Sequence, residues 1–341
     1  MRGWPRFSRA KPIRTQAAGS ETQNYRHNPS NEAQQVSEDG ENQSQPPVSL
    51  ADKYGIKVLH DPPGGTAVVD IVFVHGLTGD REKTWTADTA HDPWVKSFLP
   101  TVILTARILS FGYDADILHF LKPAGQNSIG MHAADLVAHL AYQRDTTDSS
   151  NRPIIFVAHS LGGLVCEDAL LSSKNSVEPH LQRILECARA IAFFGTPHAG
   201  SDLTRFALTL TNLAKLFIKK PNNDLLGVLE RKSEVLARIQ GEFHKMIRAR
   251  KDTGKPDIKI HCYIEQVPIE GLEKLVVPPE SAVLSAYSHS TIHSNHMNMT
   301  KFGSQGDSGF ILVSGDLLRW VNDLVTLNGR TPGISPYRAY G

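Results

Sequence analysis

The sequence predicts an α/β protein: a mostly parallel sheet covered by helices on both faces. Three observations predict it. Short apolar, β-branched runs recur ("VVDIVFVHG", "RPIIFVAHS", "ARAIAFFG"), each stopping at a turn, as strands buried on both faces do. Between them stand helical patterns, "SIGMHAADLVAHLAYQRDT" and "LGGLVCEDALLSS". The links are short, so strand and crossover helix alternate, which gives parallel pairing within one domain.

In chain order, residues 1–50 come first and read as a disordered basic and polar tail. "MRGWPRFSRAKPIRTQAAGS" carries Arg2, Arg6, Arg9, Lys11 and Arg14 with no acid before Glu21. That charge bias is like a mitochondrial transit peptide, but Pro5 and Pro12 interrupt an amphipathic helix, and a disordered basic tail is preferred. Residues 21–50 are rich in Gln, Asn, Ser and Pro and cannot bury enough apolar surface to offset ordering entropy. The folded domain is expected over residues 51–328, followed by a flexible tail over 329–341. Inside it, "TARILSFGY" and "IKIHCYIEQ" read as strands, and "GFILVSGDLLRWVNDLVTL" as a closing helix. Residues 203–250 are helical in pattern and read as a cap insertion above the sheet. In "LTRFALTLTNLAKLFIKK", Phe206, Leu210, Leu213 and Phe217 share one apolar face. That face suits a lid opening on a lipid surface or, as preferred, a cap packed on the core.

Composition limits the function classes. Lys and Arg total 36 against 35 Asp and Glu, so nothing favours nucleic acid as a partner. The three cysteines, Cys166, Cys187 and Cys262, have neither disulfide nor metal-ligand spacing, which points to a reduced, intracellular setting. No apolar run is long enough for a transmembrane helix, and no secretory leader is expected.

The chemistry centres on "FVAHSLGGLVCEDAL", residues 156–170. Ser160 follows an apolar strand and precedes a helix, with small residues at Ala158 and Gly162. This is the pattern of a nucleophile elbow, the strained turn that lifts a serine above the sheet of an α/β-hydrolase. "VFVHGLTG" ends an earlier strand in His75-Gly76-Leu77. In such folds an N–H from that loop pairs with the N–H after the nucleophile, which makes Leu77 and Leu161 the oxyanion-hole candidates. The base should follow near the last helix, where "SHSTIHSNHMNMTKF" reads as a loop and offers His289, His293 and His296; His261 sits inside a strand pattern. A metal reading of those histidines lacks carboxylate or thiolate ligands and an HExxH helix, so no metal and no cofactor is expected. Glu265 ends a strand and is the preferred acid, with Glu270 and Glu280 as rivals. In "GTPHAGS", His198 reads as shaping the loop beside the elbow.

Four blocks in order, "DIVFVHGLTGDREKTWT", "RPIIFVAHSLGGLV", "AFFGTPHAGSDL" and "NHMNMTKF", resemble the lipase-like α/β-hydrolases of the serine active site-containing protein family. Fungal members are especially similar, including versions that precede nucleotide-binding and repeat modules, although no such module is expected in these 341 residues. The resemblance runs from about Tyr54 to Leu327. It implies Ser160 as nucleophile, His296 as base in the His-x-x-Met-x-Lys-Phe block, and Glu265 as acid in Tyr263-Ile264-Glu265. The resulting expectation is a serine esterase or lipase-like hydrolase, or an acyltransferase. Its substrate would be an acyl ester such as a lipid, with a membrane surface of mitochondrion or endoplasmic reticulum as a peripheral partner. The rival expectation is a non-catalytic signalling or membrane-assembly module that keeps the fold.

Overall fold

The structure, a computed structural model, describes residues 53–116, 129–198, 203–217 and 223–327. By internal contacts the chain divides into residues 1–47 and a unit from Val48 to Gly341, which holds all the described residues. The expected tails, residues 1–50 and 329–341, lie outside the described residues.

Seven strands form one sheet: β1 (Gly55–His60), β2 (Val69–Val74), β3 (Ala106–Gly112), β4 (Ile154–His159), β5 (Ala188–Phe194), β6 (Lys259–Glu265) and β7 (Ser288–Ile292). Their order is β1-β3-β2-β4-β5-β6-β7. Only the β1–β3 pairing is antiparallel. Every residue of β2, β3 and β4 is buried, as their unbroken apolar runs require.

The helices are α1 (Ile129–Asp145), α2 (Gly162–Asn175), α3 (Pro179–Cys187), α4 (Leu203–Lys215), α5 (Asn223–Asp252) and α6 (Ser308–Leu327), apart from shorter turns. Side chains alternate between two cores because successive strand residues point to opposite faces. Ile154, Phe156 and Ala158 join α1, α2, α4 and α5 on one face. Ile155 and Val157 join α6 on the other, with Trp85 and Trp94. With this strand order, both faces covered and a strand–turn–helix after β4, the fold is that of an α/β-hydrolase. At the edge opposite the end of β4, buried Asp70 of β2 binds Arg107, Arg144 and Arg152, joining β2, β3, α1 and the loop before β4.

Three elements differ from the sequence expectation. Ser288–Ile292 is an edge strand, not loop; its largely exposed, polar residues give no apolar alternation to read. The half-buried β1 carries a register shift between Val58 and His60 that breaks its period of two. α3 is nine residues opening on Pro179, too short to stand out by periodicity. The apolar face of α4 is packed down, with Phe206, Leu210 and Leu213 buried. Among the described residues no helix is long and apolar enough to cross a membrane.

Candidate active site

The elbow is built first. β4 ends at His159, and Ser160 takes φ of 53°, a left-handed conformation that costs a non-glycine residue energy and here tips the side chain out of the strand. Its N–H donates to Phe194 O at 2.8 Å, tying the turn to β5. Gly162 and Gly76 are small because the end of β2 and the elbow pass close to each other. A Cβ on Gly162 would lie 2.3 Å from His75 O, and one on Gly76 would lie 2.6 Å from Ser160 Cβ.

Three expected side chains meet at the carboxyl edge of the sheet. Ser160 Oγ lies 3.1 Å from His296 Nε2. On the other side of the ring, His296 Nδ1 lies 3.4 Å from Glu265 Oε2. That pair lacks hydrogen-bond geometry, yet both atoms are buried and neither has another partner among the described residues. Two complementary atoms that face only each other form a contact able to tighten when substrate closes the site. The second carboxylate oxygen of Glu265 accepts the Val277 N–H at 2.7 Å, which fixes the carboxyl plane. His296 itself stands on a short turn in which the Asn295 side chain accepts the N–H groups of Met297 and Asn298.

The rival residues lie elsewhere. His289 and His293 are exposed, and His261 is half-buried beside the Ser290 hydroxyl at 3.0 Å. Glu270 and Glu280 are both exposed.

The loop after β2 carries Leu77. Among the described residues neither the Leu77 nor the Leu161 N–H has an acceptor. His75 holds this loop in place. Its Nδ1–H donates to Gly76 O at 3.0 Å and its Nε2 accepts the Tyr113 N–H at 3.4 Å, so the partners themselves select the neutral tautomer. The Tyr113 hydroxyl donates back to His75 O at 2.7 Å while the two rings stack. Burial lowers the His75 pKa to about 4, so the strut stays uncharged near neutral pH.

The sequence drew attention to His198 but not to Tyr113, nor to Glu167 and Gln240, which lie buried beside His198. There Glu167 of α2 lies 3.7 Å from His198 Nδ1. Gln240 of α5 donates to Pro197 O at 3.0 Å and to His198 Nδ1 at 3.1 Å. Burial drives Glu167 well above the usual carboxylate range and lowers His198 to about 3, and both shifts favour the uncharged forms. His198 thus shapes the loop after β5 and links it to α5. The only sequence signal for Glu167 was an acid on the inward face of an otherwise apolar helix.

No family model matches the chain. Protein SERAC1 of Bos taurus is 27% identical over 279 residues, covering 74% of this chain and 40% of that protein. The human protein of the same name is 25% identical over the same shares, so the chain spans 40% of the length of these curated relatives. Among solved structures, the lipase BlEst2 of Bacillus licheniformis is 18% identical with a TM-score of 0.46, over 76% of this chain and 95% of that one. Esterase B of Lactobacillus rhamnosis is 11% identical with a TM-score of 0.44, over 79% of each chain. Likenesses this remote carry no assignment of activity, and the fold assignment rests on the strand order and elbow above.

Proposed function

We propose that the protein is a serine hydrolase that cleaves an acyl ester, or transfers its acyl group, through an acyl-enzyme. One observation carries the reading: a serine in a left-handed elbow stands 3.1 Å from a buried imidazole whose other nitrogen faces a buried carboxylate. Ser160 Oγ attacks the ester carbonyl carbon as His296 Nε2 takes its proton, while Glu265 holds the Nδ1–H tautomer and stabilises the imidazolium. The oxyanion is received by the N–H groups of Leu77 and Leu161; each such donor is worth about 10²–10³ in kcat in comparable enzymes. His296 then protonates the departing alkoxide. Water, or a second alcohol in a transferase, attacks the acyl-enzyme with His296 again as base, and Ser160 is regenerated.

A lipid ester at a membrane surface is the substrate class favoured by the resemblance of the four sequence blocks to the lipase-like family. The test is covalent trapping. A fluorophosphonate probe should label the full chain at one equivalent, and Ser160→Ala should abolish both labelling and hydrolysis of p-nitrophenyl butyrate. Undiminished labelling of Ser160→Ala would sink the reading.

A further inference from the structure

Resting on that reading, we propose that His159 is a positioning residue, which sets the reach of the base by holding the backbone of His296 to the strand that carries the nucleophile. His159 is the last residue of β4, directly before Ser160, and is 6% exposed. Its Nε2–H donates to the His296 carbonyl at 2.9 Å. A carbonyl only accepts, so Nε2 carries a proton. The two imidazoles lie 4.9 Å apart, tilted by 38°. Burial, together with the nearby His296, keeps the pKa of His159 well below the ordinary histidine value. The donor is therefore uncharged, and it sets no fixed positive charge beside His296 when that ring takes the proton from Ser160.

The contacts close a ring. Ser160 is bonded covalently to His159, His159 holds the His296 backbone, and the His296 imidazole returns to Ser160 Oγ. Two residues 136 apart in the chain are thus located against each other by one intervening side chain. The other restraints on the His296 turn act elsewhere. Asn295 organises it from within, and the Ser294 carbonyl accepts the N–H groups of Gln266 and Val267 at the end of β6. Contact between Glu265 and His296 is loose at 3.4 Å and cannot by itself fix the distance from Nε2 to Oγ. A misplacement of about 1 Å at reacting atoms costs about 10²-fold in rate, so the carbonyl tether is placed where a small slip matters most.

Three substitutions separate the tether from mere space filling. His159→Phe keeps a ring and loses the donor. His159→Asn keeps an amide at the depth of Nδ1, too short to reach the carbonyl. His159→Gln puts an amide N–H at the depth of Nε2. In the full chain, Phe and Asn should lower kcat for p-nitrophenyl butyrate, and the fluorophosphonate labelling rate, by about 10–100-fold, with KM within about twofold. Gln should recover most of that loss. Thermal melts accompany each variant, and if Phe fails to fold, the Asn–Gln pair decides. Wild-type rates in Asn, or equal losses in Asn and Gln, overturn the tether. Persistence of labelling in Ser160→Ala overturns the underlying reading, whereas its loss there alongside wild-type rates in His159→Asn overturns the tether alone.

Discussion

At the scale of single residues, the acid is the most exposing test of the site. Glu265 divides its oxygens between two tasks: one accepts the Val277 N–H, and the other faces His296 Nδ1. A glutamine must keep its carbonyl oxygen on Val277, which turns its NH₂ toward Nδ1–H, donor against donor. The ring is then driven to the wrong tautomer and its cation loses the anion behind it. Glu265→Gln should therefore lower kcat by about 10²–10⁴ while the melting temperature holds nearly constant. Glu270→Gln and Glu280→Gln, both at exposed positions, should leave turnover unchanged. A crippled Glu280→Gln beside an active Glu265→Gln would displace Glu265 from the role. Ser160 stood out as the candidate nucleophile because an elbow imposes small neighbours on a serine between strand and helix. The acid and base were not separable by spacing alone. What distinguishes Glu265 from Glu270, or His296 from His293, is burial, and burial of a loop side chain is a tertiary property.

At the scale of elements, the packing of α4 and α5 against the sheet can be measured. Phe206 is fully buried, while Leu208, two residues on, is 59% exposed on the opposite face. Phe206→Ala should cost about 3–5 kcal/mol in equilibrium denaturation, the range for a core phenylalanine. Leu208→Ala should stay within about 0.5 kcal/mol. A Phe206→Ala protein of unchanged stability would mean that α4 swings free and would restore the lid reading. Element by element, legibility follows burial symmetry. β2, β4 and β5 are buried on both faces and announce themselves as apolar runs. β1 and β7 are edge strands, one bulged and one mostly polar, and neither period survives in their sequences. The loop after β2 was expected beside the elbow, with Gly76 allowing close approach; that Gly162 makes room for the end of β2 was not read. Gly76 and Gly162 are visible as glycines, but which backbone they make room for depends on the strand order.

At the scale of the whole molecule, buried neutral groups predict how stability depends on pH. His75 and His198 are lowered to about 4 and about 3, and His159 lies well below 6.5, in each case chiefly by burial. Below about pH 6.5 the unfolded chain takes up protons at these three positions and the folded protein does not, so stability falls as the pH drops. Glu167 acts in the opposite sense. Its folded pKa is raised well above 4.5 by burial, so above pH 4.5 the unfolded chain releases a proton that the folded protein retains. His132, His244 and His261 are lowered by burial as well, so below about pH 6.5 the histidines make stability climb with pH, while Glu167 and Asp168, both raised by burial, oppose them. Each fully engaged group contributes at most about 1.4 kcal/mol per pH unit. Glu167→Gln isolates one term, because the amide copies the shape of the protonated acid and cannot ionise. Urea denaturation of both proteins from pH 5 to 8 should show the Gln variant gaining on wild type as pH rises toward the raised folded pKa of Glu167. A stability difference that stays flat across that range would mean that Glu167 ionises in the folded protein, and the neutral cluster joining α2, the loop after β5 and α5 would have to be redrawn as a charged one.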